Sequence, residues 1–220
     1  SLPGRVADSS APFLLAMLLA ACAASLAFSM AEIKHLFKDR FPKLLVDRIT
    51  YEIRRHTIEP YLTRKFFWEN HGNNWTAVCA GGVGGAMMYE FPEIYLTQRE
   101  RLDASMQNYL DSFQDDGVCV EGTGYWAFGF GFFSNYAMLQ KELTNGEFDW
   151  FKNEKVKTIA TFMQKMYLDK DIIVSFSDCS MYQQLPLGLH NMLKSIYPDD
   201  IEPLPYKEGH MADNTHFNFI

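Results

Sequence analysis

Twenty consecutive residues near the start of the chain, Ala11 to Met30, carry no charge: APFLLAMLLAACAASLAFSM. A stretch of this length can cross a bilayer or lie buried in a helical protein, and few other structures accept it. Leu19-Ala20-Ala21-Cys22 also imitates a lipoprotein cleavage site behind a short hydrophobic region. Three features favour the buried helix. Asp8 stands where a membrane segment expects a positive flank, Ala and Ser dilute the apolar residues, and AEIKHLF continues the helical pattern past Met30. The expectation is a helix enclosed on nearly all sides, with no stable membrane insertion.

Ser1 opens the chain where an initiating Met would stand, so a longer parent protein is expected. With 220 residues, 48% of them hydrophobic, there is ample material for a core, which excludes disorder. The net charge of -7 comes from 27 acidic and 20 basic residues spread along the chain. Without a basic block to follow a phosphate backbone, nucleic acid is not an expected partner.

Beyond Met30 helical spacing recurs. FPKLLVDRITYEIRRHTIEPYL, Phe41 to Leu62, sets Leu44, Leu45, Ile49, Ile53 and Ile58 near helical spacing, with Pro42 in the first turn. Further helices are expected at Asn74 to Tyr89, Leu96 to Phe113, Tyr125 to Leu143, Glu154 to Leu168 and Leu185 to Ile196. DIIVSFSD, from Asp171, reads as a short strand or an extended connector. Antiparallel helices on short loops make either a bundle or a solenoid of hairpins. Helices so poor in charge on one side need partners on both sides, which a two-layered (α/α) toroid supplies. The predicted fold is all-α, with residues 1–197 forming part of such a toroid and residues 198–220 a linker or the start of another domain.

Gly122-x-Gly124-x-x-Ala127 follows a β-like VCV and imitates a dinucleotide fingerprint, but no second strand arrives before Ile172. No cofactor is expected. Cys22, Cys79, Cys119 and Cys179 lie far apart, without metal-binding pairs, and read as buried thiols.

Two segments place polar groups at helix starts. In HGNNWTAVCAGGVGGAMMYE, Asn73 or Asn74 can cap the first turn, which by itself accounts for the amides. In DDGVCVEGTGYWAFGFGFF, Asp115 to Phe133, an acid, a phenol and an indole surround a glycine turn. The phenylalanines there are expected in the core, whereas Glu121 and Tyr125 are expected to face a ligand.

NNWTAVCAGG, followed after a helical hairpin by DDGVCVEGTGYWAFG, resembles the α/α-toroid region of the heparinase II/III-like polysaccharide lyases. The region from LAACAASLAFSM to IEPYL is similar to the helical pair that precedes those motifs in the family, and SFSDCS to YP is similar to the family's next segment. The resemblance spans most of the chain. It implies β-elimination in a uronic-acid polysaccharide or oligosaccharide. By this resemblance Asn74, together with Asn73, neutralises the substrate carboxylate as charge builds on it, and Tyr125 acts as general acid/base, giving a proton to the leaving oxygen and abstracting the one next to the carboxylate. Glu121, Trp75 and Trp126 are then candidate substrate contacts.

The chain also departs from that family. Several members carry a histidine directly after the amide, where Trp75 stands here, and His71 just upstream is the candidate substitute. The family adds a histidine from a following β-sandwich domain, and His210 and His216 faintly resemble that segment. Arg64, Lys65, Arg99 and Arg101 are candidate contacts to an anionic polymer, and the acidic balance fits a weakly charged uronic-acid polymer better than a sulfated one. Two rival readings remain open: a glycoside hydrolase using Glu121 with Asp116 or Asp178, and a non-catalytic glycan-binding module.

Overall fold

A computed structural model describes residues 11–169, 172–183 and 186–203. Helix α4 (Asn74–Glu90) is its axis, because every residue from Thr76 to Met88 is buried. Its composition explains how that is possible. A Cβ added at Gly81, Gly82 or Gly85 would collide with Phe132, Ala24 or Phe28 in turn, so only glycine admits neighbours this close.

Helix α1 (Ala11–Phe37) lies along one side of α4, parallel to it, with Ala24 against Gly82, Phe28 against Gly85 and Lys34 paired to Glu90. Met17, Ala21, Ala24, Ala27, Phe28 and Ala31 form its buried stripe. The expectation of a helix enclosed on nearly all sides is corrected here. Leu15, Leu18, Leu19, Leu26, Ile33 and Leu36 remain exposed, because the small residues sit on one face and the large ones on the other. Among the described residues, Leu15–Phe37 alone is long and apolar enough to cross a membrane. A single such helix is weak evidence for insertion, and the small-residue face is already committed to α4.

After a short turn, α2 (Lys43–Ile53) runs through a π-helical turn, Arg54–Ile58, into α3 (Glu59–Thr63). Pro60 gives a reason for the widened turn, since its ring would clash with the carbonyl one turn earlier in a regular α-helix. Ile49, Ile53, Ile58 and Tyr61 are buried, whereas Leu44 and Leu45 of the expected stripe are exposed. Helix α5 (Pro92–Asp111) returns antiparallel to α4 after the single residue Phe91, bringing Asn108 Nδ2 within 3.0 Å of the Glu69 carbonyl.

Helix α6 (Thr123–Tyr125), a second π-turn at Trp126–Phe130 and α7 (Gly131–Leu143) form one continuous rod. It runs parallel to α4, with Gly129 against Asn74 and Tyr136 against Gly84. Thus α1, α4 and the α6–α7 rod run in one direction, with α4 packed directly against both, and α2–α3 and α5 run back alongside them. The fold is all-α and forms a row of helical hairpins.

The helix expected at Glu154 to Leu168 is shorter. Helix α8 covers Glu154–Ala160, and the chain then turns, with the Thr161 hydroxyl bonded to the Thr158 carbonyl, into strand β1 (Tyr167–Asp169). Strand β2 (Ile172–Ile173) pairs antiparallel to it, so DIIVSFSD begins as a strand. Helix α9 (Leu187–Ile196) completes the described elements. Residues 198–203 fold back onto the helices, with Ile201 3% exposed and the Pro198 carbonyl held by Lys194. His210 and His216 lie outside the described residues.

Candidate functional site

Because α4 and the α6–α7 rod are parallel, their N-terminal ends lie at the same end of the row. The polar segments preceding them meet there. Asn73 occupies the capping position of α4 in extended backbone, yet its side chain makes no capping bond. The acceptor comes instead from 47 residues away: the Asn74 backbone N–H donates to Glu121 Oε2 at 3.0 Å. A carboxylate placed at a helix start is favoured by the unpaired N–H groups and partial positive charge gathered there.

Three buried oxygens in this corner have no hydrogen-bond partner among the described residues: Oδ1 of Asn73, Oδ1 of Asn74 and the Tyr109 hydroxyl. They share a wall, since a Cβ on Gly129 would lie 2.7 Å from the Tyr109 hydroxyl and 3.0 Å from Asn74 Cβ. Asn74 is 2% exposed, whereas Asn73 retains surface. Burial pushes the Tyr109 hydroxyl well above its usual range, reinforced by Cys119 and Glu121.

Glu121 is half-buried, and its carboxyl is raised by desolvation and by the nearby Asp178, against the lowering effect of the Asn74 N–H. The turn that carries it is fixed by Gly122, whose φ of +105° is strained for a side chain and where an added Cβ would lie 3.3 Å from the Asp178 backbone. Asp178, Gly124, Tyr125 and Phe128 line a shallow depression beside it. The loop bearing Asp178 is tied down by the hydrogen bond of Thr123 to Gln183 and by Tyr167, whose hydroxyl donates to the Gln183 carbonyl at 3.0 Å.

The expected residues therefore divide. Asn74 and Glu121 are in direct contact. Tyr125, exposed in the depression, lies one helical turn before Gly129, about 6 Å along the axis. Of the two possible carboxylate partners, Asp178 is within electrostatic reach of Glu121, whereas Asp116 accepts the Val118 N–H in a local turn. His71 is exposed, its ring edge-on to Phe67 and its carbonyl accepting the Thr76 hydroxyl. Trp75 packs half-buried against the core.

Trp126 is 2% exposed, stacks on Phe130 and donates its indole N–H to the Ile159 carbonyl at 3.0 Å, so it offers no edge to a ligand. Phe128, expected in the core, instead lies in the depression with its ring edge-on to Phe132. The π-turn explains the exchange, because one extra residue in the turn rotates the face each side chain presents.

Arg101 is consumed by the fold. It grips Glu69 and the carbonyls of Tyr61 and Arg64 while stacking on the Tyr61 ring. Arg99 pairs with Asp103 over Phe148, and Arg64 and Lys65 stay exposed. The expectation of four buried thiols is also corrected, since Cys79 and Cys119 are buried, Cys22 is exposed and Cys179 is intermediate. Among the described residues no three His, Cys, Asp or Glu side chains gather around a metal-sized space. Sequence reasoning missed Tyr109, which carries no local signal apart from its place on the buried stripe of α5. No protein-family profile matches the chain, and no curated protein matches it.

Proposed function

We propose that the chain is the helical domain of a polysaccharide lyase acting on uronic-acid polymers, in which further hairpins would continue the row into a toroid. The observation carrying this reading is the pair of amide side chains, Asn73 and Asn74, whose carbonyl oxygens are engaged by none of the described residues at the start of a fully packed helix. An amide can donate to a carboxylate through its NH2 and accept from a hydroxyl through its oxygen. A uronic-acid residue carries both groups on one ring. Asn73, which retains surface, meets the carboxylate with the buried Asn74 behind it as the neighbouring carbon loses its proton to the Tyr125 oxygen, and Tyr125 delivers a proton to the departing glycosidic oxygen.

One observation favours a second reading. A half-buried carboxyl raised above its ordinary value beside a second carboxylate is also the pattern of a glycoside hydrolase acid, which would assign Glu121 and Asp178 to hydrolysis. The two are separated by incubating the protein with alginate, hyaluronan and heparosan while following both ultraviolet absorbance and reducing ends. A lyase produces absorbing unsaturated ends, and Tyr125→Phe lowers that rate by about 10²- to 10⁴-fold with little change in binding. Reducing ends without absorbance indicate hydrolysis. Binding without either product leaves a glycan-binding module.

A further inference from the structure

The geometry points to Glu121 as a positioning residue, one that caps α4 from outside and so holds Asn73 and Asn74 in place with their side-chain amides unspent. This rests on the carbohydrate reading of the site and adds a residue that never touches the reacting atoms. Asparagine at a helix N-cap normally spends its side-chain oxygen on a first-turn N–H. Asn73 has the extended backbone of that position, with φ -144° and ψ 177°, and makes no such bond. The charge and the acceptor that the helix start requires are supplied by Glu121 Oε2 on the Asn74 N–H.

The brace is rigid at both ends. On one side, α4 is immobilised by its glycine contacts with Ala24, Phe28 and Phe132. On the other, the turn carrying Glu121 is closed by the Gly122 N–H on the Cys119 carbonyl at 3.0 Å, and the following helix starts with the Trp126 N–H on the Gly122 carbonyl at 3.0 Å. Because both ends are fixed, losing the Glu121 carboxyl leaves the Asn74 N–H without its acceptor, and the asparagine side chains turn back to serve the helix start instead of a ligand. The titratable groups facing Glu121 are Asp178 from the loop after β2, Tyr109 from α5 and Cys119 from its own turn. None of them is a cation, so the start of α4 is its main source of positive potential within this set.

A brace and a proton donor differ in what they tolerate. Gln keeps the accepting oxygen and loses only the charge, so Glu121→Gln preserves a brace and destroys an acid. The test compares wild type, Glu121→Gln and Glu121→Ala on the same three polymers, with circular dichroism to verify folding. The expected result is that Glu121→Ala loses about 100-fold in kcat with KM within about threefold, whereas Glu121→Gln stays within about tenfold in kcat. The Asn74 backbone amide proton shift, followed by NMR in the chain alone, titrates with the Glu121 carboxyl in wild type and is flat in Glu121→Gln. Glu121→Gln as inactive as Glu121→Ala, or an Asn74 amide insensitive to Glu121 ionisation, overturns the inference. If wild type forms no unsaturated product, the lyase reading fails separately, and the comparison moves to binding of an alginate tetrasaccharide. There a brace predicts at least about tenfold weaker binding for Ala and no more than about threefold for Gln. Equal binding by all three proteins, or by none, overturns it.

Discussion

A Cβ placed on Gly82 would lie 2.6 Å from the backbone carbonyl of Ala24, so α1 and α4 meet main chain to main chain at this crossing. Backbone cannot rotate out of the way as a long side chain can. Gly82→Ala is expected to lower stability by about 1–3 kcal/mol despite the better helix propensity of alanine. Urea denaturation measures it, and an unchanged or raised midpoint would contradict the crossing.

Trp126→Phe removes the indole N–H that satisfies the Ile159 carbonyl, in a place with almost no solvent access. The expected cost is about 1–3 kcal/mol in stability, with binding of a uronic-acid oligosaccharide unaffected. A weakened ligand affinity at unchanged stability would return Trp126 to the site.

Two carboxyls make opposite contributions to the pH dependence of folding. Burial pushes Glu69 up, but hydrogen bonds from Arg101 and the Phe66 N–H, with the charges of Arg101 and Lys65, bring it below its ordinary 4.5. Its stabilisation is present above 4.5 and lost as pH falls through the lowered value. Glu121 is raised above 4.5, so its contribution is complete below 4.5 and lost as pH rises through the raised value. Denaturation midpoints across pH should show Glu69→Gln flattening the acid limb, with a loss of about 3 kcal/mol at neutral pH. Glu121→Gln should flatten the limb that lies above 4.5.

The bare face of α1 gives a further prediction. Leu19 and Leu26 are each 61% exposed, so replacing both by Gln should change stability by no more than about 0.5 kcal/mol. Binding of a hydrophobic dye to the native protein should fall. A large loss of stability would mean that these side chains are buried in the native state.

Sequence periodicity located α4 and α5 to within a few residues, because their apolar and small positions repeat at helical spacing over several turns. It failed where tertiary contacts decide. The uncharged run of α1 suggests burial all round, yet burial follows the alanines that α4 can approach and leaves the leucines outside. Glu154 to Leu168 keeps a helical pattern but turns at Thr161. At the site, Asn74, Glu121 and Tyr125 stand out as polar residues at helix starts. That Glu121 would perform the capping expected of an asparagine was not legible, since the bond joins residues 47 apart. Phe128 and Trp126 exchanged roles because a π-turn leaves no mark in the pattern of residue types.

The glycine contacts of α4 also decide how a ligand at its N-terminal end would be received. With Gly81, Gly82, Gly84 and Gly85 each pressed against a neighbour, the helix cannot slide or roll to meet a guest. The asparagine wall is preorganised, so little conformational entropy is lost there on binding. The opposite wall, around Asp178, belongs to a loop outside the helices, held by hydrogen bonds of Thr123 and Tyr167 to Gln183 rather than by backbone-to-backbone packing. Ligands differing only at the end that faces the asparagines should be discriminated sharply, and those differing at the Asp178 side tolerated.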